Sequence, residues 1–177
     1  YIKNKHKVVY WANEDKASKI KLRIIQSYYR ATQQEMIDDK TIIHESYIKD
    51  IKPYFTLVDS VGSSVEELNQ YCKLAEPDIV FADQLDKFSV SGNFGRGDER
   101  LKEIYIKARE IAKRNDLLFW AVSQASYEAH NRMSIDFSMM DGSRTGKAGE
   151  ADVIIGIGKT GDVDADNYMR YLFVSKN

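Results

Sequence analysis

The sequence predicts an α/β domain with a mainly parallel sheet and helices on both of its faces. Short apolar runs at residues 7–12, 54–58, 77–83 and 117–122 alternate with stretches of helical periodicity, the pattern of successive strand–helix–strand units. The runs are close to continuously apolar, which marks strands buried on both sides. The size agrees, since 177 residues with 43% hydrophobic and 30% charged side chains make one domain of globular chain, residues 1–177.

The first run holds Val8, Val9, Tyr10, Trp11 and Ala12, and Asn13, Glu14 and Asp15 follow it. Ile20, Ile24 and Ile25, with Leu22 and Tyr28, then recur at three- and four-residue spacing among Lys19, Lys21 and Arg23, an amphipathic helix. Thr32 with Glu35 is a capping box opening a second, short helix. After the strand at 54–58, Ser64 and Glu67 open a helix to about Lys73. The strand at 77–83 ends on Asp83, and a Gly- and Ser-rich loop at 89–97 leads into the longest helix, 98–115. Asp98 is read as its N-cap, and Leu101, Ile104, Ile106, Ala108, Ile111 and Ala112 as its apolar stripe. The strand at 117–122 runs into Ser123 and Gln124. Residues 125–148 are polar and poor in regular pattern, and 152–157 and 168–174 read as two last strands around a Gly/Asp turn.

Composition closes several routes. Twenty-six basic against 27 acidic residues give a net charge of -1, so contact with nucleic acid has to come from a local patch. No apolar run approaches the roughly 18 residues of a membrane span. A single cysteine, Cys72, excludes an internal disulfide scaffold, and His6, His44 and His130 lack metal-ligand spacing. The chain opens on Tyr1 and stops at Asn177 directly after an apolar run, so both ends read as cut from something longer.

Two stretches imitate a phosphate-binding loop and fail. Gly142 and Gly146 are separated by three residues where four are needed, and Ala148 follows Lys147 where a hydroxyl should reach Mg²⁺. Gly158, Lys159 and Thr160 follow a strand, but Val153 occupies the first glycine position. Asp162, Asp164 and Asp166 imitate the start of a Ca²⁺ loop, yet Asn167 and Phe173 stand where Gly and Glu are required.

In covered parallel sheets chemistry gathers at the carboxyl ends of the strands, and here those ends carry Glu14, Asp83 and Gln124. A carboxylate such as Asp83 can hold Mg²⁺ for a nucleotide, although strand ends also use Asp in turns. Glu14 can orient or deprotonate a water, or simply favour a helix N-terminus. Gln124 can donate and accept toward a terminal phosphate. Residues 132–147 combine Gly142 and Gly146 with Arg132, Arg144 and Lys147, the composition of a mobile loop that binds phosphate backbones and equally that of an ordinary surface loop.

In order along the chain, these elements resemble the RecA-like ATPase core of DnaB-type hexameric replicative helicases, particularly bacteriophage ones, from Val8 to the end. The carriers are Glu14 after the first strand, Asp83 with Gln84 to Phe88, Ser123 and Gln124, the stretch 141–152 with Glu150 to Gly156, and the closing Val174 to Asn177. The resemblance implies a RecA-like P-loop NTPase fold that uses ATP and Mg²⁺ in the cytoplasm of a bacterium or phage-infected host. Glu14 would activate water, Asp83 would join the Mg²⁺ shell, Gln124 would sense the γ-phosphate, and Lys176 would reach the neighbouring subunit's nucleotide. Residues 141–152 would grip single-stranded DNA. A homo-oligomeric, hexameric ring and a primase are the implied partners. The family's P-loop strand is absent from these residues, so the sheet should lack that strand and the 177 residues alone should not turn over ATP. A RecA-type recombinase and a catalytically silent DNA-binding adaptor share parts of the pattern and stay open here.

Overall fold

The computed structural model describes residues 1–59, 61–142, 144–161 and 169–177, without the side chains of Ile42 and Arg144. The chain falls into two compact units, Tyr1–Ser89 with Ile111–Val122, and Val90–Glu110 with Ser123–Asn177.

The first unit is built on a four-stranded, all-parallel sheet. Its strands are β1 (Val8–Ala12), β2 (Phe55–Asp59), β3 (Ile79–Asp83) and β4 (Leu118–Ala121), in the order β2-β1-β3-β4. Parallel neighbours need crossovers, and helices supply them. Between β1 and β2 run α1 (Ala17–Tyr29), α2 (Gln33–Asp38), α3 (Lys40–Ser46) and a π-turn at Tyr47–Ile51; between β2 and β3 runs α4 (Val65–Ala75).

Side chains along a strand alternate between faces, so each strand feeds two cores. On one face Val8, Phe55 and Ile79 pack with Ile25 of α1 and with Ile51, and Tyr10, Leu57, Phe81 and Trp120 extend that cluster. On the other, Trp11 meets the Tyr71 ring of α4 edge-on at 5.4 Å and Phe88 at 6.3 Å. Apolar contact on both faces explains why the strands read as continuous apolar runs. Both expected capping boxes form: Ser64 accepts from the Glu67 amide at 3.1 Å while Glu67 accepts from the Ser64 amide at 2.7 Å, and Thr32 pairs with Glu35 in the same way.

The longest helix, α5 (Gly97–Arg114), starts one residue earlier than expected. Asp98 therefore lies in its first turn, ion-paired with Arg96 at 3.0 Å, instead of capping it. In the second unit the patternless stretch contains 3-10 turns at Tyr127–Ala129 and Phe137–Met139 and a short helix, α6 (Arg144–Glu150). The last strands, β5 (Ile154–Gly158) and β6 (Tyr171–Lys176), form a separate antiparallel pair. Position 168, expected to open the last strand, and the acidic positions 162–166 lie outside the described residues. Gly158 serves a close approach: a side-chain carbon there would overlap the carbonyl oxygens of Arg132 and Met133, whose segment bonds to β5 through the Lys159 amide and the Arg132 carbonyl at 3.0 Å.

Cys72 of α4 is 1% exposed, and burial pushes its thiol up to about 11. The thiolate is the reactive form, so the native protein should resist thiol labelling at pH 8 and react fully once denatured. Rapid labelling of the folded protein would contradict this packing of α4.

Candidate functional site

β1 and β3 pair in register, with Ala12 opposite Asp83. The pairing continues one step past β1, where the Asn13 amide donates to the Asp83 carbonyl at 2.7 Å. Glu14 follows at once, so the two candidate residues stand at the carboxyl ends of neighbouring strands. Asn13 is 5% exposed, and its Oδ1 accepts from the Gly62 amide at 2.9 Å, tying the β1 end to the segment that leads into α4.

Asp83 Oδ2 accepts a 2.6 Å hydrogen bond from the Tyr10 hydroxyl, which reaches diagonally from β1 on the same sheet face. Burial, then the bond to Asp83, pushes the Tyr10 hydroxyl far above its ordinary range, so it remains a donor across the physiological range. Tyr10 is itself fixed by a stack running across three strands: Tyr10 on Phe81 at 5.9 Å, and Phe81 on Trp120 at 6.0 Å. The Asp83–Gln84 peptide bond is cis. Glu14 pairs with Lys87 at 3.0 Å, both side chains being about two-fifths exposed. An ion pair that open is worth roughly 0–1 kcal/mol, so Lys87 holds Glu14 in place without locking it.

Among the described residues no group of three or more His, Cys, Asp or Glu could hold a metal. Mg²⁺ does not require one, because it keeps several waters and takes one or two carboxylates plus substrate phosphates. Asp83 fits that role: Tyr10 occupies one carboxylate oxygen and the other has no partner among the described residues. The phosphate cradle is different, since no stretch of these residues meets the spacing of a P-loop.

In the second unit Gln124 is exposed, three residues beyond the last residue of β4, and its carbonyl accepts from the Asp141 amide at 3.1 Å. Arg132 is exposed and its Nε donates to the Glu128 carbonyl at 2.8 Å. Arg144 opens α6, its side chain outside those described. Lys147 departs from the expectation of a solvent-facing phosphate contact. It is 1% exposed, with Nζ donating to the Asp141 carbonyl at 2.6 Å and to Ser123 Oγ at 3.1 Å. Lys176 Nζ donates to the Ala148 carbonyl of α6 at 2.8 Å, which suits a cation near the carboxyl end of a helix. Beside it, Ser175 Oγ donates to Asp136 Oδ2 at 3.0 Å and accepts from the Phe137 amide. Hydrogen bonds from Ser138, chiefly its amide, hold the Asp136 carboxyl below the usual carboxylate range. This unit also has an open groove of about 420 Å³ lined in part by Tyr127, His130, Lys159 and Arg170, and no sequence-predicted site residue lines it.

Sequence reasoning missed Tyr10, Asn13 and Lys87. Their roles depend on β1 pairing with β3 in that register, a long-range fact with no local signal. The one available clue was the period-two phase, which puts Tyr10 and Asp83 on matching faces once the pairing is known.

No protein-family model matches the chain, and no curated protein matches it. Solved structures do. One, an ATPase domain, aligns with a TM-score of 0.77 at 17% identity over 98% of this chain and 68% of that one. A DnaB-like replicative helicase, solved in a study that also treats its interactions with primase, aligns with a TM-score of 0.75 at 17% identity, over 98% of this chain and 47% of that one. Identity this low speaks to architecture alone, and the architecture is the one expected from the order of strands, helices and carboxylates: this chain has the RecA-like ATPase-core fold of the DnaB-type helicases.

Proposed function

We propose that these residues belong to the ATP-driven motor of a DnaB-type replicative helicase, in which NTP hydrolysis at subunit interfaces drives movement along single-stranded DNA. The observation that carries this reading is that Glu14 and Asp83 stand at the carboxyl ends of the neighbouring strands β1 and β3 of a parallel sheet in this fold. Glu14 activates the attacking water, Asp83 joins the shell of Mg²⁺, and Gln124 senses the terminal phosphate. The 177 residues act as one RecA-like domain, and the phosphate cradle is not among them, so they turn over no ATP by themselves. The working assembly is a homo-oligomer, a hexameric ring, with single-stranded DNA in its channel and a primase as a further partner. It works in the cytoplasm of a bacterium or of a phage-infected host; among the described residues no helix is long and apolar enough to cross a membrane.

The two carboxylates should separate in the intact protein. Asp83→Asn and Glu14→Gln should both abolish hydrolysis, but Asp83→Asn should also weaken Mg-nucleotide binding whereas Glu14→Gln should leave it intact. Nucleotide affinities measured by titration decide this, and the reverse pattern would exchange the two roles.

Arg132 and Arg144 are the proposed backbone contacts for single-stranded DNA. Replacing either with Ala should lower affinity with little base preference and reduce the log–log salt slope by about 0.7 per contact. Binding titrations across salt that show neither change would return the segment to an ordinary surface.

Lys176 is proposed to act on the neighbour's nucleotide, exchanging its bond to Ala148 for a phosphate oxygen. Inactive Lys176→Ala and inactive Glu14→Gln subunits should then recover part of the ATPase activity on co-assembly. No recovery despite subunit exchange would confine Lys176 to holding α6.

A further inference from the structure

We propose that Lys147 is a positioning residue that ties the start of the basic loop to Gln124, in place of a direct contact to nucleic acid. The inference deepens the helicase reading and rests on it for what the tie transmits; the tie itself is a matter of geometry.

A lysine in a seven-residue helix at the protein surface ordinarily extends its stem toward water. Lys147 instead is one of the largest fully buried side chains of the molecule, at 1% exposure. Its ammonium donates to two acceptors that are 18 residues apart in sequence, Ser123 Oγ at 3.1 Å and the Asp141 carbonyl at 2.6 Å, and it lies 5.6 Å from the centre of the Tyr105 ring on α5. Asp141 is thereby held on both sides, because its amide donates to the Gln124 carbonyl at 3.1 Å. Ser123 precedes Gln124 directly. One cation therefore bridges the residue before the candidate sensor and the residue that opens the loop.

The neighbouring backbone is shaped around this bridge. Gly142 has φ +72°, and a Cβ there would lie 2.7 Å from Leu101 Cδ1 and 3.7 Å from Lys147 Nζ, so the chain turns tightly beside the ammonium where only glycine is at ease. The far end of α6 is held separately: Arg109 donates to the Glu150 carbonyl and to Asp152 at 2.7 Å, and Lys176 to the Ala148 carbonyl. With one end of α6 fixed by Arg109 and Lys176, Lys147 is the link on the Gln124 side. Charge-assisted bonds are about twice as strong as neutral ones, and opening the link would take the ammonium from the Asp141 carbonyl and from Ser123 Oγ together, so the link resists opening. A shift at Gln124 on loss of the terminal phosphate moves Ser123 and Asp141 together and carries the loop with them.

Lys147→Met in the intact protein keeps the volume and removes the donors. Amide hydrogen exchange over residues 141–150 should rise by about tenfold or more, since the substitution removes both hydrogen bonds of the ammonium. ATP turnover at saturating single-stranded DNA should fall several-fold with KM for ATP unchanged, and the salt slope of DNA binding should stay at the wild-type value, unlike that of Arg132→Ala. Lys147→Arg, which keeps donors, should restore part of the stimulation. If Lys147→Met misfolds, Ser123→Ala removes one of these bonds and carries the same expectations in smaller measure. A salt slope reduced by about 0.7 with exchange unchanged would make Lys147 a phosphate contact and overturn the proposal. Unchanged exchange and unchanged stimulation would overturn it as well. A wild-type protein whose ATPase ignores DNA would instead sink the helicase reading, and the exchange rates would still decide whether the tie exists.

Discussion

In-register parallel pairing of β1 with β3 is the constraint from which the candidate site follows. It aligns Ala12 with Asp83, lets the Asn13 amide close on the Asp83 carbonyl, and puts Glu14 at the strand end next to the one that carries Asp83. A register slip of one residue would turn every side chain of β1 to the opposite face, exchanging Tyr10 for Trp11 and removing the hydroxyl from Asp83. The same register builds the stack of Tyr10, Phe81 and Trp120, so packing of the core and orientation of the carboxylate are one arrangement. Apolar burial on both faces fixes the register, and the register sets where the candidate residues stand.

Much of this was legible in the residues and some was not, for physical reasons. The four parallel strands were visible because strands covered on both faces must be apolar throughout, and both capping boxes because Ser64 with Glu67 and Thr32 with Glu35 follow a local rule. Helix α6 was not visible. Gly146 and Gly149 each cost helix propensity of about 1 kcal/mol relative to Ala, and the helix is held by tertiary bonds, from Lys147 to Ser123, from Arg109 to Glu150 and from Lys176 to Ala148, that no window of seven residues contains. Glu14, Asp83 and Gln124 could be picked out as polar residues ending apolar runs, but that Glu14 adjoins Asp83 depended on strand order, which sequence order does not reveal in a parallel sheet.

Lys147 shows a second limit. Composition treats every lysine in a glycine-rich segment as available charge, whereas the fold can use one internally. Here an ammonium joins a hydroxyl, a carbonyl and an aromatic ring, while Arg132 of the same segment is exposed. The two cations have the same sign, and burial separates them. Glu14 offers the converse case: a half-exposed pairing with Lys87 leaves the carboxylate accessible to a water or a cation that competes for it.

The stack across β1, β3 and β4 also gives the protein an optical property. Trp120 lies parallel to Phe81, which lies parallel to Tyr10, whose hydroxyl is bonded to Asp83. The other tryptophan, Trp11, points to the opposite face of the sheet and packs against Tyr71 and Phe88. The two indoles therefore see different surroundings, one on the sheet face that carries Asp83 and one on the other. With Trp11 replaced by Phe, the tryptophan emission would come from Trp120 alone, an intrinsic probe on the sheet face that carries Tyr10 and Asp83 and one that needs no attached dye.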